Sequence, residues 1–110
     1  MVVNQLLIVI VQSRDAPRVS SALRQAQIAF TQFTSRGSFL NLGNTTFMIG
    51  TEDIKVPEIL EIIQKHCRER ESLVEGFPTL HPDLYAYPVS VRIGGAIVFS
   101  LPVEHYVRFS

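Results

Sequence analysis

The sequence predicts an α+β fold: an open, mostly antiparallel sheet with two helices on one of its faces. Three observations carry that prediction. A continuously apolar, largely β-branched run, Leu6-Leu7-Ile8-Val9-Ile10-Val11, marks a strand buried on both sides in the middle of a sheet. Two segments of helical period alternate with strand-like runs. Further along, the two apolar runs that flank Gly94-Gly95 have the form of a β-hairpin.

The elements follow in order. After the first strand, Asp15 is placed to cap a helix whose early turn accepts Pro17. Val19, Ala22, Leu23 and Ala26 continue it at helical spacing. Ile28 to Thr34 returns to strand-like composition with imperfect alternation. Thr45 to Ile49 is a short strand ended by Gly50. The second helix is the clearest element, because Val56, Ile59, Leu60, Ile63 and Cys67 form one apolar stripe. Pro57, Glu58 and Glu61 stand toward its positive end, with Lys65, Arg68 and Arg70 toward its negative end, complementing the macrodipole. Glu71 to Leu84 lacks a clean period and carries Gly76, Pro78 and Pro82, so it reads as a long loop. Tyr87, Val89, Val91 and Ile93 alternate with polar residues in a half-buried strand that Pro88 assigns to a sheet edge. Ala96 to Leu101 is the last strand.

That order is the ferredoxin-like β-α-β-β-α-β plan with an extra C-terminal strand. A chain of 110 residues with 46% apolar and 18% charged residues is one ordinary globular domain spanning 1–110. Such a sheet has helices on one face and nothing on the other. The bare face is covered most economically by further copies of the chain.

Composition also limits function. Ten basic residues balance ten acidic ones, which argues against a general nucleic-acid or membrane-surface binder relying on a basic field. A single cysteine allows no internal disulfide. The N-terminus lacks the features of a signal peptide, and Leu6 to Val11 is far too short to span a bilayer. The cytoplasm is the expected location.

No catalytic constellation emerges. Residues 37–45 resemble a phosphate-binding loop, but Gly37 to Gly43 is one residue too long and Asn44 stands where the lysine belongs. His66 and Cys67 are adjacent on a helix and so diverge, with no second pair at metal-ligating spacing. Cys67 lies on the apolar stripe and reads as a core thiol. His81 and His105 are isolated, and Glu69 and Glu71 read as a solvated helix end. The expectation is a protein without enzymatic activity, cofactor or metal.

The stretch Ser35 to Gly50 is the most suggestive part of the chain. Gly37 and Gly43 permit a tight turn or a close approach of backbone to ligand. Phe39 and Leu40 either fold back on a core or subunit contact, or face a ligand. Asn44 either satisfies turn backbone groups or recognises a ligand.

Gly37-Ser38-Phe39-Leu40, followed by Gly43-Asn44-Thr45-Thr46-Phe47-Met48-Ile49-Gly50, resembles the signature of the PII-like cyclic di-AMP receptors of Gram-positive bacteria. The likeness extends through Ile10-Val11-Gln12, Arg70-Glu71, Tyr87-Pro88-Val89 and the block Gly94-Gly95-Ala96 to Leu101-Pro102-Val103. The resemblance implies a homotrimer of ferredoxin-like subunits with a nucleotide in each cleft between neighbours. It implies that cyclic di-AMP, or a related adenine nucleotide, is bound and that loop reordering regulates a protein partner the sequence does not identify.

Carried over by position, Thr31 and Asn44 supply hydrogen bonds, Phe39 and Leu40 pack on an adenine, and Gly50 allows close backbone approach. Gly94 and Gly95 come from a neighbouring subunit. Two positions depart from the family pattern: Gln27 and Ala29 stand where it usually has asparagine and arginine. Arg36-Gly37-Ser38 replaces its usual Thr-Gly-Gly, which makes Arg36 a candidate replacement for the missing charge. The alternative reading is a related trimer that has lost cyclic di-AMP and binds another adenine nucleotide or acts as an interaction scaffold.

Overall fold

The computed structural model describes residues 2–35, 43–68, 70–74 and 89–110. The elements run β1 (Gln5–Gln12), α1 (Ala16–Gln25), β2 (Thr31–Ser35), β3 (Asn44–Thr51), a 3-10 turn (Asp53–Lys55), α2 (Val56–His66), β4 (Arg70–Val74), β5 (Val89–Ile93) and β6 (Ala96–Pro102). The main sheet has the order β2-β3-β1-β6, and every pairing in it is antiparallel. The apolar first strand therefore lies inside the sheet, flanked by β3 and β6. That is the ferredoxin-like arrangement, with β6 as its closing strand.

The addition to that plan differs in place from the expectation. The terminal strand is not the extra one: β6 completes the main sheet against β1. The additional strands are β4 and β5, which among the described residues form a separate two-stranded sheet, Arg70 opposite Ile93 and Val74 opposite Val89. Gly94-Gly95 is accordingly not a hairpin turn between paired strands. Both glycines have positive φ, 87° and 84°, and they redirect the chain from the small sheet to the large one. Local pattern identified β5 and β6 as strands, but partner choice is a non-local matter. Arg70–Val74 also forms a strand where a loop was expected, because Arg-Glu-Ser-Leu-Val is too short and polar to show a period.

Strand alternation divides the main sheet into two unlike faces. Leu7, Val9 and Val11 of β1 and Thr45, Phe47, Ile49 and Thr51 of β3 are buried beneath the helices. They pack with Val19 and Leu23 of α1 and with Ile59, Ile63 and Cys67 around α2. The predicted α2 stripe thus forms the core, except for Leu60, which is exposed. On the opposite face Phe33, Met48, Ile97, Phe99 and Leu101 are exposed, with Ile97 57% and Phe99 53% accessible. Register sets Met48 and Phe99 on either side of Ile8, and Thr46 and Ile97 on either side of Ile10. The result is one contiguous apolar surface.

Two local details correct the sequence reading. Asp15 precedes α1 but makes no side-chain cap. Its fully buried carboxylate accepts Arg18 Nη2 at 2.5 Å and Arg70 Nη2 at 2.8 Å, tying α1 to the start of β4. A buried charge requires such partners, which overrides its capping preference. Residues 28–30, expected in the strand, instead form the connection from α1 to β2. Ile28 N–H donates to Leu23 O at 2.9 Å and Gln27 N–H to Arg24 O at 3.0 Å. Gln27 holds φ at 60°, and this left-handed turn closes the helix. Phe30 then packs edge-on against Phe47, their ring centres 5.4 Å apart.

Candidate functional site

β2 and β3 carry the candidate residues that the structure describes in this half of the sheet. Thr31 stands opposite Met48 and Ser35 opposite Asn44. Asn44 and Gly50 share the parity of Thr46 and Met48, the uncovered face of β3. Thr31, paired to Met48, lies on that face as well. Six residues of one strand separate Asn44 from Gly50, roughly 20 Å at strand rise. A single ligand reaching both must lie lengthwise along β3.

At the Gly50 end, a cavity of about 530 Å³ opens between Thr31, Ala29 and Phe30 on one side and Met48, Gly50 and Val3 on another. Tyr106 and Arg108, from the segment after β6, complete its wall. The volume suits a small organic ligand, and the lining is largely apolar, with the two hydroxyls of Thr31 and Tyr106 and one guanidinium. Gly50 serves packing as well as access, because a Cβ there would lie 3.2 Å from Val3 Cγ1. Ala29 is exposed and contributes no charge.

The other end is organised around β1. Gln12 lies opposite Asn44, and Gln12 Oε1 accepts the Gly94 N–H at 2.7 Å. The Gly95 N–H donates to the Cys67 carbonyl. Both glycine donors are therefore engaged within the chain. Gly94 has no room for a side chain, since a Cβ would run into the Arg68 carbonyl; around Gly95 the space is open to 4 Å. A hollow of about 710 Å³ lies between α2 and β6 and is bordered by Gly95, but it contains no other candidate residue.

The structure thus brings Thr31 and Gly50 into one cavity and places Asn44 farther along the same face, with Gly94 and Gly95 beyond β1. Arg36, Gly37, Phe39 and Leu40 lie outside the described residues. The sequence reading missed Gln12 as the anchor of Gly94, and missed Tyr106 and Arg108 altogether.

Other chemistry is muted. Burial raises the Cys67 thiol to about 11 from its ordinary 9.0, and the nearby Asp15 carboxylate adds to the effect. Cys67 therefore remains an unreactive thiol of the core at neutral pH. Among the described residues no group of histidines, cysteines and carboxylates could hold a metal ion. No described helix is long and apolar enough to cross a membrane.

Comparison with known proteins places this geometry. The model of the cyclic-di-AMP receptor family matches residues 4–109. A functionally unknown protein from Pediococcus pentosaceus ATCC 25745 is 39% identical, with 99% of this chain and 100% of that one covered and a TM-score of 0.77. The PII protein of Arabidopsis thaliana, solved bound to citrate, is 21% identical over 94% of this chain and 78% of that one, with a TM-score of 0.61. The last likeness concerns the fold, which is PII-like.

Proposed function

We propose that this chain, which belongs to the cyclic-di-AMP receptor family, is a non-enzymatic signalling receptor that binds cyclic di-AMP at the clefts of a homotrimer. The observation that carries the reading is the uncovered sheet face, where Thr31, Asn44 and Gly50 share a surface with exposed Phe33, Ile97, Phe99 and Leu101. A contiguous apolar surface of this kind is stabilised by burial against a partner. In the proposed homotrimer, the partners are two further copies of the chain. Their clefts then bring the Gly94-Gly95 junction of one subunit to the β2–β3 surface of the next.

Each candidate residue has a role suited to the ligand's chemistry. The Thr31 hydroxyl and Asn44 carboxamide donate to phosphate oxygens or pair with base edges. Gly50, Gly94 and Gly95 let the ligand approach the backbone. Phe39 and Leu40 pack on an adenine face, and Arg36, with Gly37, supplies the charge that position 29 lacks. A change of loop conformation on binding alters the surface presented to a regulated protein in the cytoplasm. A dinucleotide has two ends, which fits candidate groups spread along the length of β3.

A second reading keeps the trimer and replaces the ligand with another adenine nucleotide, or reduces the protein to an interaction scaffold. Ala29 favours it, since no cation projects from that position beside Thr31. One experiment separates the two readings: calorimetric titration with cyclic di-AMP, adenylates and other cyclic dinucleotides, alongside light scattering. Saturable binding of cyclic di-AMP by a trimer supports the first. A trimer indifferent to cyclic di-AMP at millimolar concentration supports the second, and a monomer at micromolar concentration overturns both.

A further inference from the structure

We propose a second binding site, for a phosphomonoester, at the end of the molecule where α1 begins and α2 ends. A cavity of about 250 Å³ is lined there, among the described residues, by Arg18, Lys65, His66, Arg68 and Arg70. Four of the chain's ten lysines and arginines thus converge on one hollow, although the chain as a whole carries no net charge. None of the described lining residues is acidic. A concave wall of one sign focuses its field and draws in an anion.

Complementing the macrodipole accounts for only part of this cluster. Lys65 and His66 occupy the last turn of α2, where cations are ordinary. Arg18 and Arg70 come from α1 and β4, and the buried Asp15 carboxylate holds both by Nη2. The two guanidiniums are thereby fixed in orientation, while their side chains remain 55% and 36% exposed. A fork held in place before the ligand arrives loses little freedom on binding. The carbonyls at the end of α2 are also masked from an anion. Arg70 Nη1 donates to the Arg68 carbonyl at 2.9 Å, and Arg18 Nη2 lies 3.5 Å from that of His66.

The ligand class follows from a second hollow beside the first. It has a volume of about 320 Å³, shares Arg18 and His66, and runs along Pro17, Ser21, Ala22 and Gln25 of α1. The phosphate of a monoester occupies the cationic cavity, where its acceptor oxygens meet the arginine donors. Its organic body lies in the trough along α1, which adds aliphatic contact and neutral polar groups.

The test is a titration of inorganic phosphate and of phenyl phosphate into the full chain at constant ionic strength, followed by amide chemical shifts. Both should saturate, with the largest shifts at Arg18, His66 and Arg68, and phenyl phosphate should bind about threefold tighter or more. The double variant Lys65→Gln with Arg68→Gln leaves the pairing of Asp15 intact and should weaken both about tenfold or more. Arg18→Lys keeps the charge but loses the fork, and should weaken them about threefold. Lys55→Gln, before the opposite end of α2, is the charge-matched control and should match the parent chain. Shifts that rise without saturating, or a double variant that binds as well as the parent, would overturn the assignment. Neither result bears on cyclic di-AMP, because the cavity at Thr31 and Gly50 shares no lining residue with this one.

Discussion

The two faces of the main sheet are built from the same strands and have opposite fates. On the helical face, Leu7, Val9, Phe47 and Ile49 are fully buried; one residue along each strand, the side chains point to a surface where Phe33, Met48, Ile97, Phe99 and Leu101 are exposed among the described residues. In the proposed homotrimer, association would bury the exposed Phe33, Ile97, Phe99 and Leu101 of that second surface. The helical face stabilises the chain, and the other face is the proposed surface of association.

Paired substitutions test that division most severely. Phe47→Ala, on the helical face, should cost about 3–5 kcal/mol in denaturant unfolding, through the lost aromatic contact with Phe30 and the cavity left behind. Phe99→Glu, on the opposite face, should change the stability of the isolated subunit by only about 0.5 kcal/mol, yet abolish the proposed trimer in sedimentation. A Phe99→Glu protein that remains fully assembled would break the comparison.

The junction before β6 is tied to both faces, Gly94 through Gln12 and Gly95 through the carbonyl of Cys67. Positive φ and the obstructing Arg68 carbonyl make Gly94→Ala the costlier change, roughly 2–3 kcal/mol. Gly95→Ala should cost about 1 kcal/mol, from its backbone conformation alone. Equal thermal shifts for the two would remove the steric distinction between them.

A smaller effect should have the opposite sign. Gln27 occupies the left-handed region at the end of α1, so Gln27→Gly should raise stability by about 0.5–1 kcal/mol, measured in urea. The smallest concerns Cys67 on the covered side. Its pKa is raised from 9.0 to about 11 by folding, so the protonated thiol is favoured in the native state. That contribution is complete below pH 9 and is lost as pH rises toward 11. Cys67→Ala should therefore show a shallower decline of Tm over that interval than the parent chain.

Much of the architecture was legible because it is periodic. The β-branched run of β1 and the stripe Val56, Ile59, Leu60, Ile63 and Cys67 identify a central strand and an amphipathic helix without reference to the rest of the chain. Asn44 and Gly50 entered as site candidates through the family resemblance; their place on one face with Thr46 and Met48 comes from the alternation of β3. Pairings between distant segments were not legible. Asp15 looked like a helix cap because its local signal is the same whether or not Arg70, 55 residues away, comes to meet it. Tyr106 and Arg108 carried no local signal for a cavity whose other wall is formed near residues 29–31 and 48–50.

The sequence by itself determined the strands of the main sheet to within a few residues, both helices, the side of α2 that becomes core, and that the helices cover one face of the sheet. Those properties depend on neighbours within a few positions, where alternation and helical period act directly. Only the tertiary structure decided that β5 pairs with β4 and β6 with β1, that Asp15 holds two arginines, and that the chain end joins Thr31 and Gly50 around one cavity. Each is a meeting of residues far apart in the chain, selected by the burial and hydrogen bonding of the whole fold.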